Sequence, residues 1–247
     1  MKTSFAKAPV AKAAAVETET ESTSALATKG EATSTLTVRG APGQINGEFT
    51  ASDILIPYLN LVAKTGELSN QFPAGAFVYN REVIIGDGKK PAQITVLRIT
   101  KFYRQDIPFG AEETPKTFST ERDVIAAGGH VGWSADAEEG SDRYSQAMEC
   151  IVLLKSPNKG NAMFPFEFGD ESYALAKWYI TKSAYKSVGA KLFSDSQMAL
   201  KSGIDTASYD LTSQIKTAAV GSWYVPVVKL GQRHDPKFVE FVRGLLG

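Results

Sequence analysis

Apolar and polar positions divide the second half of the chain into short strands. The run "QAMECIVLLKS" (146–156) is apolar on both faces, which is typical of a central strand. Three further runs have strand length and are rich in β-branched and aromatic residues: "YALAKWYITKS" (173–183), "YDLTSQIKTAA" (209–219) and "SWYVPVVKL" (222–230). The run "AMFPFEF" (162–168) predicts an edge strand or a bulge, because Pro165 cannot donate to a strand ladder.

Turn and helix signals complete the pattern. Two strand-like runs flank Gly86, Asp87 and Gly88 in "EVIIGDGKKPAQITVLRITKFYR" (82–104), which predicts a β-hairpin. The segment "AYKSVGAKLFSDSQMAL" (184–200) predicts an internal helix. A closing helix follows in "DPKFVEFVRGLL", with Asp235 as N-cap and Pro236 in its first turn. Strands do not alternate regularly with helices, so the pattern favours an all-β barrel or sandwich with added helices.

Two segments differ from the rest in composition. Residues 1–47 are rich in Ala, Thr, Ser, Lys and Glu, and they predict a disordered N-terminal arm. Residues 48–247 are predicted to form one domain. Within it, residues 105–142 are acidic and contain glycines, which indicates a long loop with local structure near 120–126. Because like charges repel, we expect this acidic loop to lie away from any strands that bind phosphates.

Composition narrows the classes of function. The 247 residues include 43% hydrophobic residues, and the 27 basic and 27 acidic residues balance. A protein that coats nucleic acid by charge alone is usually more basic, so a nucleic-acid site has to be local. The one cysteine, Cys150, lies in an apolar run and is predicted to be a buried core residue. Neither His130 nor His234 has companions at metal-ligand spacing, so we predict no metal, no cofactor and no enzyme.

The location of the protein is also predicted from its sequence. No apolar stretch approaches the length of a membrane span, and Lys7, Pro9 and Lys12 interrupt the start of the chain. We therefore expect no signal peptide, no membrane association and a cytoplasmic location, in the host cell if the protein is viral.

Basic and aromatic residues are interleaved in several predicted strands. In "AKWYITKSAYKSVGAK" (176–191), strand alternation places Tyr179 on the face of Lys177 and places Trp178 with the core residue Ile180. Lys182 reaches the polar side only if the strand ends near Thr181. Single-stranded nucleic-acid binders need this combination, since bases stack on rings while Lys and Arg neutralise phosphates. Core packing of the aromatic rings is the competing interpretation.

The order of these segments resembles that of bacteriophage-encoded single-stranded DNA-binding proteins with an OB-fold core. The resemblance covers roughly residues 54–230 and is carried by "IPYLNLV", "PAGAFVYN", "ITVLRITKFYR", "ECIVLLK", "AKWYITKSAYKSVGAK", "YDLTSQIKT" and "WYVPVV". It implies an OB-fold-like five-stranded barrel with an internal helix and a C-terminal helix. It also implies sequence-tolerant binding of single-stranded DNA across the strands, in phage replication or recombination.

The candidate DNA-binding residues come from the strands and the helix that carry both kinds of side chain. They are Lys101, Tyr103, Arg104, Lys177, Tyr179, Lys182, Tyr185, Lys186, Lys191, Lys216, Tyr224 and Lys229. The expected partners are single-stranded DNA, further copies of the chain, and replication or recombination proteins. The main alternative is a viral structural or assembly protein with a β domain and a flexible arm. An enzyme with the acidic loop as a lid is a third hypothesis.

Overall fold

The protein is built mainly from β-strands, with short helices added. The computed structural model describes residues 55–108, 112–132, 140–219 and 221–245, and it confirms the predicted class of an all-β fold with added helices. The predicted disordered arm, residues 1–47, lies outside the described residues. The strands are β1 (Leu59–Leu61), β2 (Phe77–Tyr79), β3 (Val83–Gly86), β4 (Ala92–Gln105), β5 (Thr117–Phe118), β6 (His130–Val131), β7 (Arg143–Lys155), β8 (Phe166–Phe168), β9 (Glu171–Thr181), β10 (Ala207–Ala218) and β11 (Gly221–Arg233).

The strands form two sheets. The smaller sheet has the order β1-β2-β3, and the larger one has the order β11-β10-β4-β7-β9-β8, with β5 added to β4 and β6 added to β7. All pairs are antiparallel except β6 with β7. The long strands β4, β7 and β9 form a meander, and a register shift near Leu97 marks a bulge in β4. Such a bulge increases the local twist and lets one strand curve between two partners.

The internal helix and the closing helix lie at the predicted places, and short helical segments occur elsewhere as well. They are α1 (Glu121–Ala126), α2 (Lys182–Ala184), a π-helical turn (Tyr185–Gly189), α3 (Ala190–Met198) and α4 (Pro236–Gly244), with 3₁₀ turns at Glu67–Asn70 and Ile204–Thr206. Asp235 caps α4 by accepting a hydrogen bond from the Lys237 N–H at 2.8 Å, and Pro236 follows it, as predicted. Helix α1 begins after Thr120, whose side chain accepts from the Asp123 N–H. Local structure near 120–126 is therefore confirmed.

One main core joins both sheets to the internal helix. Its buried members come from the small sheet, from the inner face of the meander, from α3 and from β10–β11, for example Phe77, Cys150, Trp178, Leu192 and Tyr209. A second cluster lies on the other side of the large sheet, where Phe238 and Val242 of α4 pack on Leu153. The C-terminal helix thus covers the outer face of the sheet at one end only.

Two predictions about strand pairing need correction. The Gly86–Asp87–Gly88 turn does not close a hairpin, because β3 pairs with β2 while β4 pairs with β7 and β10. The hydrogen-bonded path among the described strands runs openly from β11 to β8, so the five-stranded barrel is not closed by backbone pairing. The segment around β1 lies between β9 and β11. The Lys177 N–H of β9 donates to the Pro57 carbonyl at 2.8 Å, and β1 also contacts β11.

The two sheets meet at a close backbone approach between glycines. Ser213 of β10 donates its hydroxyl to the Gly75 carbonyl at 2.7 Å and its N–H to the Gly88 carbonyl at 2.9 Å. Gly88 has a φ of +82°, and a Cβ built on it would lie 2.2 Å from the Gly75 oxygen. Only glycine fits this position without moving one sheet away from the other.

We predict that Gly88→Ala destabilises the protein by about 1–3 kcal/mol more than Gly66→Ala, in the range of other overpacked sites. Gly66 is the matched control, because its φ is +116° and a Cβ there meets nothing within 4 Å. Urea unfolding of both variants measures the difference. Equal losses would show that backbone strain alone, without the contact between the sheets, determines the effect.

Candidate nucleic-acid interface

The meander presents one apolar face and one mixed face. Strand register aligns Thr100 of β4, Glu149 of β7 and Tyr179 of β9 side by side on the outer face. The neighbouring positions Trp178 and Ile180 point the other way and are buried, at 2% and 0% exposure. The predicted separation of Tyr179 from Trp178 and Ile180 is therefore confirmed, and it follows from the two-residue period of a strand.

Three aromatic rings gather on the outer face. Tyr179 lies 5.8 Å from Tyr58 with ring planes tilted by 31°, and 6.1 Å from Phe102 in an edge-to-face arrangement. Tyr58 and Tyr179 remain 49% and 43% exposed. Tyr58 is held there by the β-bridge that its segment makes to Lys177. The three rings therefore lie partly exposed on the outer face and outside the main core.

An open cleft of about 540 Å³ lies over these rings, and we call it the aromatic cleft. Thr100, Arg104 and Glu149 line it from the sheet, whereas Thr114, Pro115 and Thr117 line it from the segment between β4 and β7. The prediction that residues 105–142 lie away from the basic strands is therefore wrong. Uncharged side chains of that segment form the wall, so the repulsion inferred from its overall charge does not apply there.

Two further clefts continue from the aromatic cleft. A connecting cleft of about 90 Å³ shares Arg104 and Pro115 with it. A lysine cleft of about 570 Å³ follows, which shares Asp106, Ser145 and Lys182 with the connecting cleft. Tyr185 and Lys186 line the far part of the lysine cleft. The three clefts adjoin one another, and together we call them the groove.

The lysines reach the groove because the chain turns sharply after β9. The strand ends at Thr181, and Lys182 has a φ of +52°, a conformation uncommon for a residue with a side chain. At this left-handed residue the chain passes from the strand into α2 and the π-helical turn. Lys182 and Lys186 consequently stand exposed at the end of the groove, one turn apart.

Four basic and two acidic side chains line the groove. Asp106 is neutralised locally, since its carboxylate accepts from Arg143 Nε at 3.0 Å and from the Ser145 hydroxyl at 2.7 Å. Glu149 lies beside the Tyr179 hydroxyl; partial burial and the hydrogen bond to this carboxylate raise the pKa of Tyr179. Tyr179 therefore stays a neutral hydrogen-bond donor at physiological pH. Basic side chains therefore outnumber acidic ones among the residues that line the groove.

The structure brings together five of the twelve candidate residues in this groove. They are Arg104, Tyr179, Lys182, Tyr185 and Lys186. Lys177 shares the outer face of β9 with Tyr179 but does not line the cleft. Lys191 forms an ion pair with Asp195 at 3.0 Å along the internal helix.

The remaining candidates lie elsewhere. Tyr103 is 5% exposed and packs with Val124 and Tyr144, so its ring is not free to stack on a base, and Lys101 Nζ lies 5.0 Å above that ring. Three candidates belong to the β10–β11 hairpin: Lys216, Tyr224 and Lys229. Among them, Lys216 pairs with Trp223, whose indole N–H donates to Ser183 of the lysine cleft at 3.3 Å.

Sequence reasoning missed several groove residues. Phe102 could have been found, since it lies two positions from Arg104 on the same strand face. Tyr58 and Glu149 reach the site through pairings between distant segments, which no local pattern signals. Thr114, Pro115 and Thr117 carry no charge or ring that distinguishes them in sequence.

Other kinds of site find little support in the described ranges. Across these residues, His, Cys, Asp and Glu side chains nowhere gather in threes as a metal site would require. Burial raises the pKa of the Cys150 thiol to about 12, which leaves it unreactive. No helix in the described part of the chain has the length and apolar character needed to cross a membrane. Comparisons with protein-family models, with curated proteins and with solved structures find no match to this chain.

We predict that Tyr179→Ala and Trp178→Ala differ strongly in stability although the residues are adjacent. Trp178→Ala should destabilise the fold by about 3–5 kcal/mol, as for a large buried ring. Tyr179→Ala should destabilise it by about 1–2 kcal/mol, since it loses the ring contacts with Tyr58 and Phe102 and the partly exposed hydrogen bond to Glu149. Chemical unfolding measures both. A loss at Tyr179 as large as at Trp178 would assign the outer ring to the core.

Proposed function

We propose that this protein binds single-stranded DNA in the groove without strong dependence on sequence. The observation that carries the proposal is that three adjoining clefts share lining residues, with three aromatic rings in the first and Lys182, Tyr185 and Lys186 in the last. A strand lying in it would stack bases on rings and place phosphates near the lysines and Arg104. Base stacking on aromatic residues contributes about 1–3 kcal/mol per base and tolerates any sequence.

The charge distribution is consistent with a local binding site. The chain has no net charge, yet basic side chains outnumber acidic ones along the groove, and one of the two acids is paired with Arg143. Binding limited to this groove would involve few phosphates. We therefore expect a moderate salt dependence, compared with proteins that coat nucleic acid with a wholly basic surface.

The connectivity of the strands supports an OB-fold-like core as part of the proposal. The meander β4-β7-β9 is followed by the internal helix and by the β10–β11 hairpin, and β10 returns to pair with β4. This order is consistent with an OB-fold, a five-stranded and partly open barrel. Here the β1 segment lies between the edges of β9 and β11, where direct pairing would close the barrel.

The position of the groove agrees with the way OB-folds bind ligands. Those folds bind oligonucleotides on the face of their second and third strands and with two loops, one between the first and second strands and one between the fourth and fifth. In this chain β7, β9 and the segment between β4 and β7 correspond to that face and the first loop, and Thr114 and Pro115 of that segment line the aromatic cleft. Protection of single strands during phage replication or recombination, in the host cytoplasm, is the role that we propose.

We predict that replacing Lys182 and Lys186 together by alanine weakens binding and reduces its salt dependence. Two lost phosphate contacts should lower the slope of log K against log salt by roughly 1.4, at ~0.7 per contact for single strands. Fluorescence anisotropy of a labelled oligothymidine at several salt concentrations measures the slope. The matched control is Lys201→Ala with Lys237→Ala, two exposed lysines that line none of the three clefts. A slope unchanged in the groove variant would contradict the proposed site.

We also predict that Tyr179→Ala weakens binding by ~1–3 kcal/mol, because it removes the central stacking ring. Phe193→Ala is the control, since that ring is 60% exposed on the internal helix, outside the groove. Its affinity for the same oligonucleotide should equal that of the unmodified protein. Equal effects of the two substitutions would indicate that stacking does not occur on the outer face of the meander.

A further inference from the structure

An acidic side chain at the centre of the aromatic cleft calls for an explanation. Glu149 lies on the middle strand of the meander, between Thr100 and Tyr179, and it is half-buried beneath the rings. A carboxylate in this position repels phosphates, so it opposes the attraction that the rest of the groove supplies. Its position instead suits the edge of a base that stacks on Tyr58 or Tyr179.

We propose that the aromatic cleft is a subsite for a guanine base, an inference that rests on the proposed function of the groove. Guanine presents two adjacent donors on one edge, its N1–H and its exocyclic amine, and an ionised carboxylate can accept both. Glu149 supplies that pair of acceptor oxygens, because an ionised carboxylate has about four lone-pair sites and the Tyr179 hydroxyl occupies one of them. The cleft, at about 540 Å³, lies within the range of ordinary small-ligand sites.

Arg104 complements the other edge of the same base. Its exposed guanidinium lines the aromatic cleft, and its charge acts on the Tyr179 hydroxyl together with that of Glu149, so both charged groups flank this ring. Arg104 takes no part in the ion pairs formed among the described residues. A bidentate contact from arginine to O6 and N7 is the commonest specific recognition of guanine.

The other three bases fit this pair of charges less well. Thymine has one ring N–H between two carbonyl oxygens, which face a carboxylate unfavourably. Cytosine and adenine each place one amine beside a ring nitrogen that accepts, so neither offers two adjacent donors. The cleft therefore favours guanine at one position, while stacking and phosphate contacts along the rest of the groove tolerate any sequence.

The test compares oligothymidines that differ at a single central position. Anisotropy should show that a strand with one central guanine binds at least about fivefold more tightly than strands with adenine, cytosine or thymine there, as expected for one bidentate contact. Glu149→Gln should abolish this ratio, because the amide keeps the shape but replaces one acceptor with a donor. Glu167→Gln, on an exposed position of β8, should retain it.

A second variant and a second ligand separate the possible outcomes. Arg104→Gln, at an exposed position, should also reduce the guanine ratio and keeps the test valid if Glu149→Gln fails to fold. Equal binding of all four strands by the unmodified protein would overturn the guanine subsite and leave the proposed function intact.

Calorimetry with guanosine monophosphate distinguishes a free nucleotide from a strand. One outcome is that the unmodified protein binds this nucleotide but no oligonucleotide, with nucleotide binding lost in Glu149→Gln. That result would support the subsite and overturn the proposed function. Binding of neither would overturn both.

Discussion

The register of the β4-β7-β9 meander is the constraint on which the site depends. Because side chains alternate along each strand, the pairing that buries Cys150 and Trp178 on one face places Thr100, Glu149 and Tyr179 together on the other. A slip of one residue would exchange the two faces. The apolar core thus fixes the positions of the groove residues, and no separate interaction is needed to align them.

The two ends of the groove have different origins. The rings lie on regular strands and on the β1 segment, which backbone hydrogen bonds hold beside β9. The lysines follow the end of β9, where the left-handed Lys182 turns the chain into a helix. Under the proposed function, rigid strands would position the stacking surface, while a turn would present long, flexible cations to phosphates. This division suits a ligand whose bases need fixed geometry and whose backbone needs mainly charge.

Local patterns predicted the elements well and the site only in part. Strand alternation correctly placed Tyr179 opposite Trp178, and cap chemistry correctly began α4 at Asp235. Local patterns do not show which distant segments pair. The position of Tyr58 beside Tyr179 and the burial of Tyr103 were therefore not predicted. The acidic segment was wrongly predicted to lie away from the basic strands because its charge was treated as uniform. Its uncharged residues form one wall of the aromatic cleft.

Photo-cross-linking tests the central claim, that one groove holds the strand, most directly. Oligothymidines with 5-iododeoxyuridine at successive positions can be irradiated with the protein, and the modified peptides identified by mass spectrometry. The account predicts adducts at Tyr58, Phe102 and Tyr179 from one part of the strand and at Tyr185 from a neighbouring part. Adducts confined to the β10–β11 hairpin, at Tyr224 for example, or spread evenly over exposed rings such as Phe193, would contradict it.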